Sequence, residues 1–470
     1  MTHGVYPAPL KIAEVLEKSA ESPSKGYEIE ANGFADLVMT PESKSMIHLF
    51  HGQNHCKKNK YGKPAKPVQT IGILGAGLMG AGIASVSIPK GYNVLLRDMS
   101  DQGLQRGFNQ IDKIFATKEK RKQLSKMDKH GIMNRLNLQL DYANFKNADL
   151  VIEAVFEKME VKHAVVKEVE QHTPEHAIIA TNTSALSITE IAKASKRPEK
   201  IVGMHYFSPV DKMQLLEIIP GEKTSEDTLA SASAVGIKQG KLVVVVKECP
   251  GFFANRCLGP ALSEITRLLQ EGVSPTDLNK AAQKYGFPVG LATLMDEVGI
   301  DVAGTVGTYL ANSYGARLEG GDTAMFQAFI DKNILGKKTG KGMFLYEGKK
   351  MKNVGINPDA QEIINQFKKT PPSSELMTTE NMQLRIALRF VNEAVMTLEE
   401  GIIQSATDGD IASVFGVGFP ARFGGPFKFV DDMGADKVVE HMEKFEAVYG
   451  AAFTPCKTLK EMAKSGAKFY

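Results

Sequence analysis

The chain has 470 residues, 43% of them hydrophobic, and a formal net charge of +3 at pH 7. That length suits about three domains. The mixed charge excludes bulk affinity for nucleic acid or a membrane surface, and no apolar run reaches the ~18 residues of a membrane span. Cys56, Cys249, Cys257 and Cys456 are scattered without metal-ligand spacing, so no metal is expected and free thiols in a reducing compartment are.

Residues 1–67 predict helices and a linker. PLKIAEVLEKSA reads as one helix and Glu28–Met39 as a second; Pro41 opens a third at its first helical position. The first 20 residues carry acids and no signal or transit pattern. The start is abrupt, as in a piece of a longer chain, because Leu10–Leu16 already has an interior amphipathic pattern. His48, His51 and His55 fall on one helix face, which leaves open either a metal or three unrelated side chains. KKNKYGKPAKP then reads as a solvated connector.

Residues 68–248 predict an α/β domain organised by Thr70–Asp98. An apolar strand (Ile71–Leu74) meets Gly75-Ala76-Gly77-Leu78-Met79-Gly80, a small-residue helix follows, and a second strand ends at Asp98. Gly75 allows the turn, Gly77 a close approach of backbone to a pyrophosphate, and Gly80 tight helix–strand packing, with phosphates at the helix N-terminus. Asp98, about 20 residues beyond, accepts from ribose hydroxyls and repels a 2′-phosphate, which favours NAD. A helical pair is expected over Asp101–Lys129, its lysines either a solvated face or a reach toward an anionic substrate. Strands are expected at 149–154, 177–181, 201–207, 213–219 and 241–247, with Ser187 capping a helix.

From Pro250 the pattern is helical and repeats. Glu264–Gly272 echoes Glu393–Gly401, Gly286-Phe287-Pro288 echoes Gly418-Phe419-Pro420, and Asp296, Gly299 and Asp301 echo Asp431, Gly434 and Asp436. Two all-helical units, 249–348 and 380–470, are expected to pack through like surfaces, with 349–379 a polar link.

His205 and Glu217 stand symmetrically about Asp211. In a hairpin they face each other, and the carboxylate would fix the imidazole tautomer and poise its other nitrogen as a base. Ser184, at a strand end, is either a helix cap or a ligand-facing group. Asn255, in PGFFANR, starts the first helical domain, either as a polar helix-start residue or as a donor to a substrate carbonyl.

The runs GILGAGLMGAGIA, VIEAVFE, NTSALSITEIA, RPEKIVGMHYFSPVDKMQLLEII and KECPGFFANR resemble the L-3-hydroxyacyl-CoA dehydrogenase family. With the first segment and the second helical unit added, the likeness extends to the alpha subunits of the mitochondrial trifunctional enzyme. The fold class implied is an α/β Rossmann-like NAD-binding domain, two repeated all-α domains and a short helical N-terminal segment.

The resemblance implies His205 as catalytic base, Glu217 as its partner, Ser184 and Asn255 orienting the substrate oxygen, and Gly75, Gly77, Leu78, Met79, Gly80, Asp98, Glu157, Lys162, Ser184, Ser208 and Lys338 on NAD. Ser208 stands where single-function members often carry Asn. An acyl-CoA substrate, a thiolase-type beta subunit, a mitochondrial location and peripheral association with the inner membrane are implied as well. Only the trailing helices of a crotonase-type hydratase domain are recognised, so dehydrogenation without hydration is expected. A dehydrogenase of free hydroxy acids and a non-catalytic scaffold docking a thiolase stay open as alternatives.

Overall fold

The computed structural model describes residues 4–348 and 350–470; residues 1–3 and Lys349, which fall in the expected first segment and link, lie outside the described residues. The chain divides into two units: Gln53–Phe252 with Gly401–Gln404, and the chain up to Gly52 with Phe253–Glu400 and Ser405–Tyr470.

Three helices come first, α1 (Ala8–Glu21), α2 (Gly26–Val38) and α3 (Pro41–Cys56). Through Gly52 they belong to the helical unit rather than forming a segment of their own. Arg422 donates to Glu42 at 3.0 Å, and His48 pairs with Asp410 at 2.9 Å. His48 therefore has a carboxylate partner that the sequence spacing did not suggest. The basic stretch after α3 is not a free connector either. Asn59 donates to the Ala230 carbonyl at 2.8 Å, Ala65 N–H to Asp227 at 2.7 Å, and Lys66 pairs with Asp149 at 2.9 Å.

Eight strands build the sheet of the dinucleotide unit: β1 (Thr70–Leu74), β2 (Asn93–Arg97), β3 (Leu136–Gln139), β4 (Leu150–Glu153), β5 (Ile178–Thr181), β6 (Ile201–Tyr206), β7 (Leu215–Pro220) and β8 (Leu242–Val245). Their order is β3-β2-β1-β4-β5-β6-β7-β8, parallel from β3 to β6, with an antiparallel β6/β7 pair and β8 parallel to β7. The central strands are apolar without alternation and buried throughout, as parallel strands covered on both faces read. Helices α4 (Leu78–Ser87), α5 (Asp101–Lys120), α6 (Lys126–Met133), α7 (Met159–His172), α8 (Ile188–Ala192) and α9 (Glu226–Gln239) join them. Edge strand β3 and helix α9 are additions to the expected elements.

The helical unit runs through α10 (Ala254–Gln270), α11 (Pro275–Tyr285), α12 (Leu291–Val298), α13 (Ile300–Tyr314), α14 (Ala324–Asp331), α15 (Pro358–Gln366), α16 (Thr379–Glu399), α17 (Ala406–Val417), α18 (Pro426–Met433), α19 (Ala435–Tyr449) and α20 (Lys457–Ser465). The expected link 349–379 is largely ordered structure. Strand β10 (Lys352–Ile356) pairs with β9 (Phe344–Glu347), and α15 buries Ala360, Ile363 and Ile364. Asp296 fixes this hairpin, accepting from the N–H groups of Met343 (2.7 Å) and Phe344 (3.0 Å) and from the Tyr346 hydroxyl (2.8 Å).

The sequence repeat is a repeat of geometry. Asn279 accepts from Ala292 N–H at the start of α12, and Asp410 accepts from Phe427 N–H at the start of α18. Asp431 accepts from Phe469 and Tyr470 N–H, much as Asp296 does in the first copy. Gly299 and Gly434 share one backbone conformation, φ 99° and ψ 126° against φ 95° and ψ 128°.

The copies meet along α10 and α16 with reciprocal ion pairs, the signature of an isologous contact. Arg256 binds Glu393 and Glu400, each at 2.7 Å; Arg385 binds Glu264 at 2.6 Å and Glu271 at 2.8 Å. Tyr314 and Tyr449 lie under these two guanidinium groups at 4.7 and 4.3 Å. Removing one partner from such a buried pair typically costs about 3–5 kcal/mol, which holds the two copies in one register.

Candidate active site

The glycine turn follows β1. Gly75 has φ +94°, where any side chain is strained, and a Cβ at Gly80 would lie 1.8 Å from the Gly75 carbonyl oxygen. A Cβ at Gly77 would meet no protein atom within 4 Å, so the space over this turn is open for a phosphate. Helix α4 starts there with no side chain capping its N-terminus, and Leu78 is exposed while Met79 is half-buried. Asp98 accepts from Ala76 N–H at 2.8 Å through Oδ2, which aims the carboxylate at the turn. These residues fit NAD: backbone donors for the pyrophosphate and an acid for the ribose.

Asp98→Asn keeps an acceptor for Ala76 and removes the charge. Initial rates should show the NAD KM raised about tenfold, as for a lost charged hydrogen bond, and a narrowed preference over NADP.

The ends of β4 and β5 carry a second cluster. Lys162 is 1% exposed and donates to both oxygens of buried Glu153, at 2.9 and 3.1 Å. Thr181 also donates to Glu153. Burial holds the Glu153 carboxyl above its usual range, with Lys162 opposing. Glu157 lies 3.2 Å from the same ammonium and accepts from the Thr183 hydroxyl at 2.5 Å and Ser184 N–H at 2.9 Å. Burial pushes Glu157 up, but Lys162 and these two donors together bring it below its usual value.

Lys162 is thus a buried cation that holds Glu153 and Glu157 together at this strand end. Ser187, not Ser184, caps α8, accepting from Glu190 N–H at 3.0 Å. Ser184 remains at the carboxyl end of β5, the edge of an open α/β sheet where ligands bind.

The antiparallel register places His205 opposite Glu217. Nδ1 lies 2.7 Å from Glu217 Oε2, and both side chains are buried. With Nδ1–H donating to the carboxylate, Nε2 keeps its lone pair and serves as a base. Phe207 packs 4.4 Å from the imidazole and Phe252 5.8 Å, between ring centroids. Phe252 is fully buried with φ 52°, a left-handed conformation that costs of order 1–3 kcal/mol in a non-glycine residue. Ser208, exposed, follows β6.

The structure therefore brings together His205 with Glu217, Glu157 with Lys162 and Ser184, and Asp98 with the turn. Asn255 and Lys338 belong to the helical unit: Asn255 in the first turn of α10, Lys338 donating to both oxygens of Asp301 at 2.6 Å. Glu153, Thr181, Thr183 and the aromatic pair around His205 were not singled out in sequence. The lone acid of LVIEAVF, in an otherwise apolar strand, was the available signal for Glu153.

The family description "3-hydroxyacyl-CoA dehydrogenase, NAD binding domain" matches residues 70–249. The description "3-hydroxyacyl-CoA dehydrogenase, C-terminal domain" matches 251–346 and again 383–468, the two helical copies. The chain is 41% identical over 473 positions to the fatty acid oxidation complex subunit alpha of Shewanella amazonensis, with all of this chain and 66% of that relative covered. It thus spans slightly less than two thirds of that relative's length. The crystal structure of 3-hydroxybutyryl-CoA dehydrogenase from Escherichia coli K12 superposes with a TM-score of 0.72 at 27% identity, covering 85% of this chain and 99% of that one. That of (S)-3-hydroxybutyryl-CoA dehydrogenase from Ralstonia eutropha gives 0.57 at 33% identity, covering 60% of this chain and all of that one. With an NAD-binding sheet, a buried His–Glu pair and matches over both domain types, the chain belongs to the NAD-dependent 3-hydroxyacyl-CoA dehydrogenase family.

Proposed function

We propose that the chain oxidises L-3-hydroxyacyl-CoA thioesters, long-chain ones above all, to 3-oxoacyl-CoA in fatty-acid oxidation. The observation that carries this reading is the 2.7 Å His205–Glu217 contact on the same sheet edge as the glycine turn. NAD, when bound, supplies the hydride acceptor. His205 Nε2 takes the hydroxyl proton, and Glu217 stabilises the imidazolium so formed. Ser184 and Asn255 orient the substrate oxygen. Glu157, held by Lys162, Thr183 and Ser184, keeps the Ser184 backbone in place. Both matched family descriptions are dehydrogenase domains, which supports the dehydrogenation step; that these residues do not also hydrate is part of the proposal.

A thiolase-type partner subunit, a mitochondrial location and peripheral membrane contact complete the proposal, on resemblance alone. NADH consumption with acetoacetyl-CoA, a long-chain 3-oxoacyl-CoA and a free 3-oxo acid tests it. The expected order of kcat/KM is long-chain thioester, short-chain thioester, free acid; equal rates on the free acid would instead favour a hydroxy-acid dehydrogenase.

A further inference from the structure

Lys241 is a buried cation that no step of the dehydrogenation uses. It stands between α9 and β8, just after Gly240, whose φ of 87° closes the helix. Its side chain is buried, and its ammonium donates to the Val210 carbonyl and, at 2.7 Å, to that of Met213. Burial pulls the group down to about 8, with Asp211 opposing. An ammonium kept buried against that cost, on two backbone carbonyls, holds the chain it binds in one place.

That chain is the loop 207–214 between β6 and β7, which follows His205. Within the loop, Lys212 and Met213 N–H donate to the Pro209 carbonyl at 3.0 and 2.9 Å. Phe207, at its start, packs 4.4 Å from the His205 ring. Buried Val210 sits against α4: a Cβ at Gly82 would lie 2.7 Å from Val210 Cγ2. The loop is therefore pinned from two sides, by the ammonium and by the helix whose N-terminus adjoins the glycine turn. Gln239, on the other side of Gly240, adds a parallel link. It accepts from the Tyr206 hydroxyl at 2.8 Å and donates to Ser87, the last residue of α4, at 2.8 Å. Tyr206 is the neighbour of His205 on β6, and all three side chains are buried.

We propose that Lys241 is a positioning residue for the dehydrogenation: it fixes loop 207–214, and through Phe207 the His205 imidazole, relative to the cofactor helix α4. The inference rests on His205 being the base. A misplacement of about 1 Å at a reacting group can cost about 10²-fold in rate. The test is Lys241→Met in the full chain, which keeps the length of the side chain and removes its donors. Bound NADH is titrated first, and NADH formation from L-3-hydroxypalmitoyl-CoA is then expressed per cofactor-binding site. Turnover per site should fall about tenfold or more while NADH affinity stays within about twofold. A merely structural role would lower the number of sites and leave the turnover of each unchanged.

Turnover per site within about twofold of the parent would overturn the proposal, and so would a loss of NADH affinity in step with turnover. Should Lys241→Met fail to fold, Gly82→Ala decides. It sets a methyl group where Val210 sits, displaces the loop from the other side and leaves the ammonium in place. It should lower turnover per site at least threefold, and parental turnover per site there overturns the proposal. His205→Gln, measured alongside, separates the two readings. Turnover kept in that variant overturns the base assignment and this inference with it. Turnover lost there but kept per site in Lys241→Met overturns this inference alone.

Discussion

His205→Gln is expected to lower kcat about 10³-fold, within the 10²–10⁴ range that a positioned general base contributes. NAD affinity should stay unchanged. Glutamine keeps the approximate volume and a donor for Glu217 Oε2, now 2.7 Å from Nδ1, so the β6/β7 pair survives. What it lacks is a nitrogen that can take a proton near neutral pH. The glycine turn and Asp98 follow β1 and β2, and β4 and β5 separate β1 from β6, so the turn and the acid are untouched. Steady-state rates with a fluorescence titration of NAD separate the two quantities. A variant that turns over near the parent rate would remove His205 from the mechanism, and one that loses NAD affinity as well would point to a folding defect.

Lys162→Met is expected to lower the unfolding free energy by about 3–5 kcal/mol, because it leaves a buried carboxylate unpaired. Glu153 is fully buried and already held high by burial; without the ammonium it protonates at still higher pH. A carboxyl with a raised folded pKa costs stability once pH exceeds its unfolded value, so this deficit is largest at neutral pH and shrinks on acidification. Glu157 acts the other way. Its depressed carboxyl contributes stability above the unfolded pKa that is lost as pH falls through the folded one. That contribution diminishes in the variant, which should also loosen the Ser184 loop and raise the substrate KM. Urea melts at neutral and mildly acidic pH check this: a deficit identical at both would mean lost packing and no charge effect.

Most of the sheet and much of the site could be read from the residues, for physical reasons. Parallel strands covered on both faces are continuous apolar runs, so β1, β2, β4 and β5 stand out. His205 and Glu217 sit symmetrically about a polar loop, and hairpin pairing then fixes their contact. Strand β3 was hidden because Leu136–Gln139 is short, at the edge, partly exposed and without β-branched residues. Helix α9 was hidden because small residues blur its periodicity. Its caps were visible, with Ser225 accepting from Thr228 N–H and Gly240 at φ 87° closing the other end.

Strand β9, on which 352–356 pairs, is held by a long-range anchor, Asp296, that no local pattern displays. Reciprocity between Arg256–Glu393 and Arg385–Glu264 was implicit in the repeat. It needed the packing of α10 on α16 to become an interaction. The buried role of Lys162 was out of reach, since Glu153 and Glu157 flank a strand end whose geometry only the fold sets.

The dehydrogenase activity is read out by mixing the full chain with NAD and L-3-hydroxypalmitoyl-CoA and following NADH. Steady NADH formation is expected with the L-thioester, none with its D-isomer, and a loss of about 10³-fold in His205→Gln with NAD still bound. No NADH from the L-thioester, or equal rates from both isomers, would contradict it.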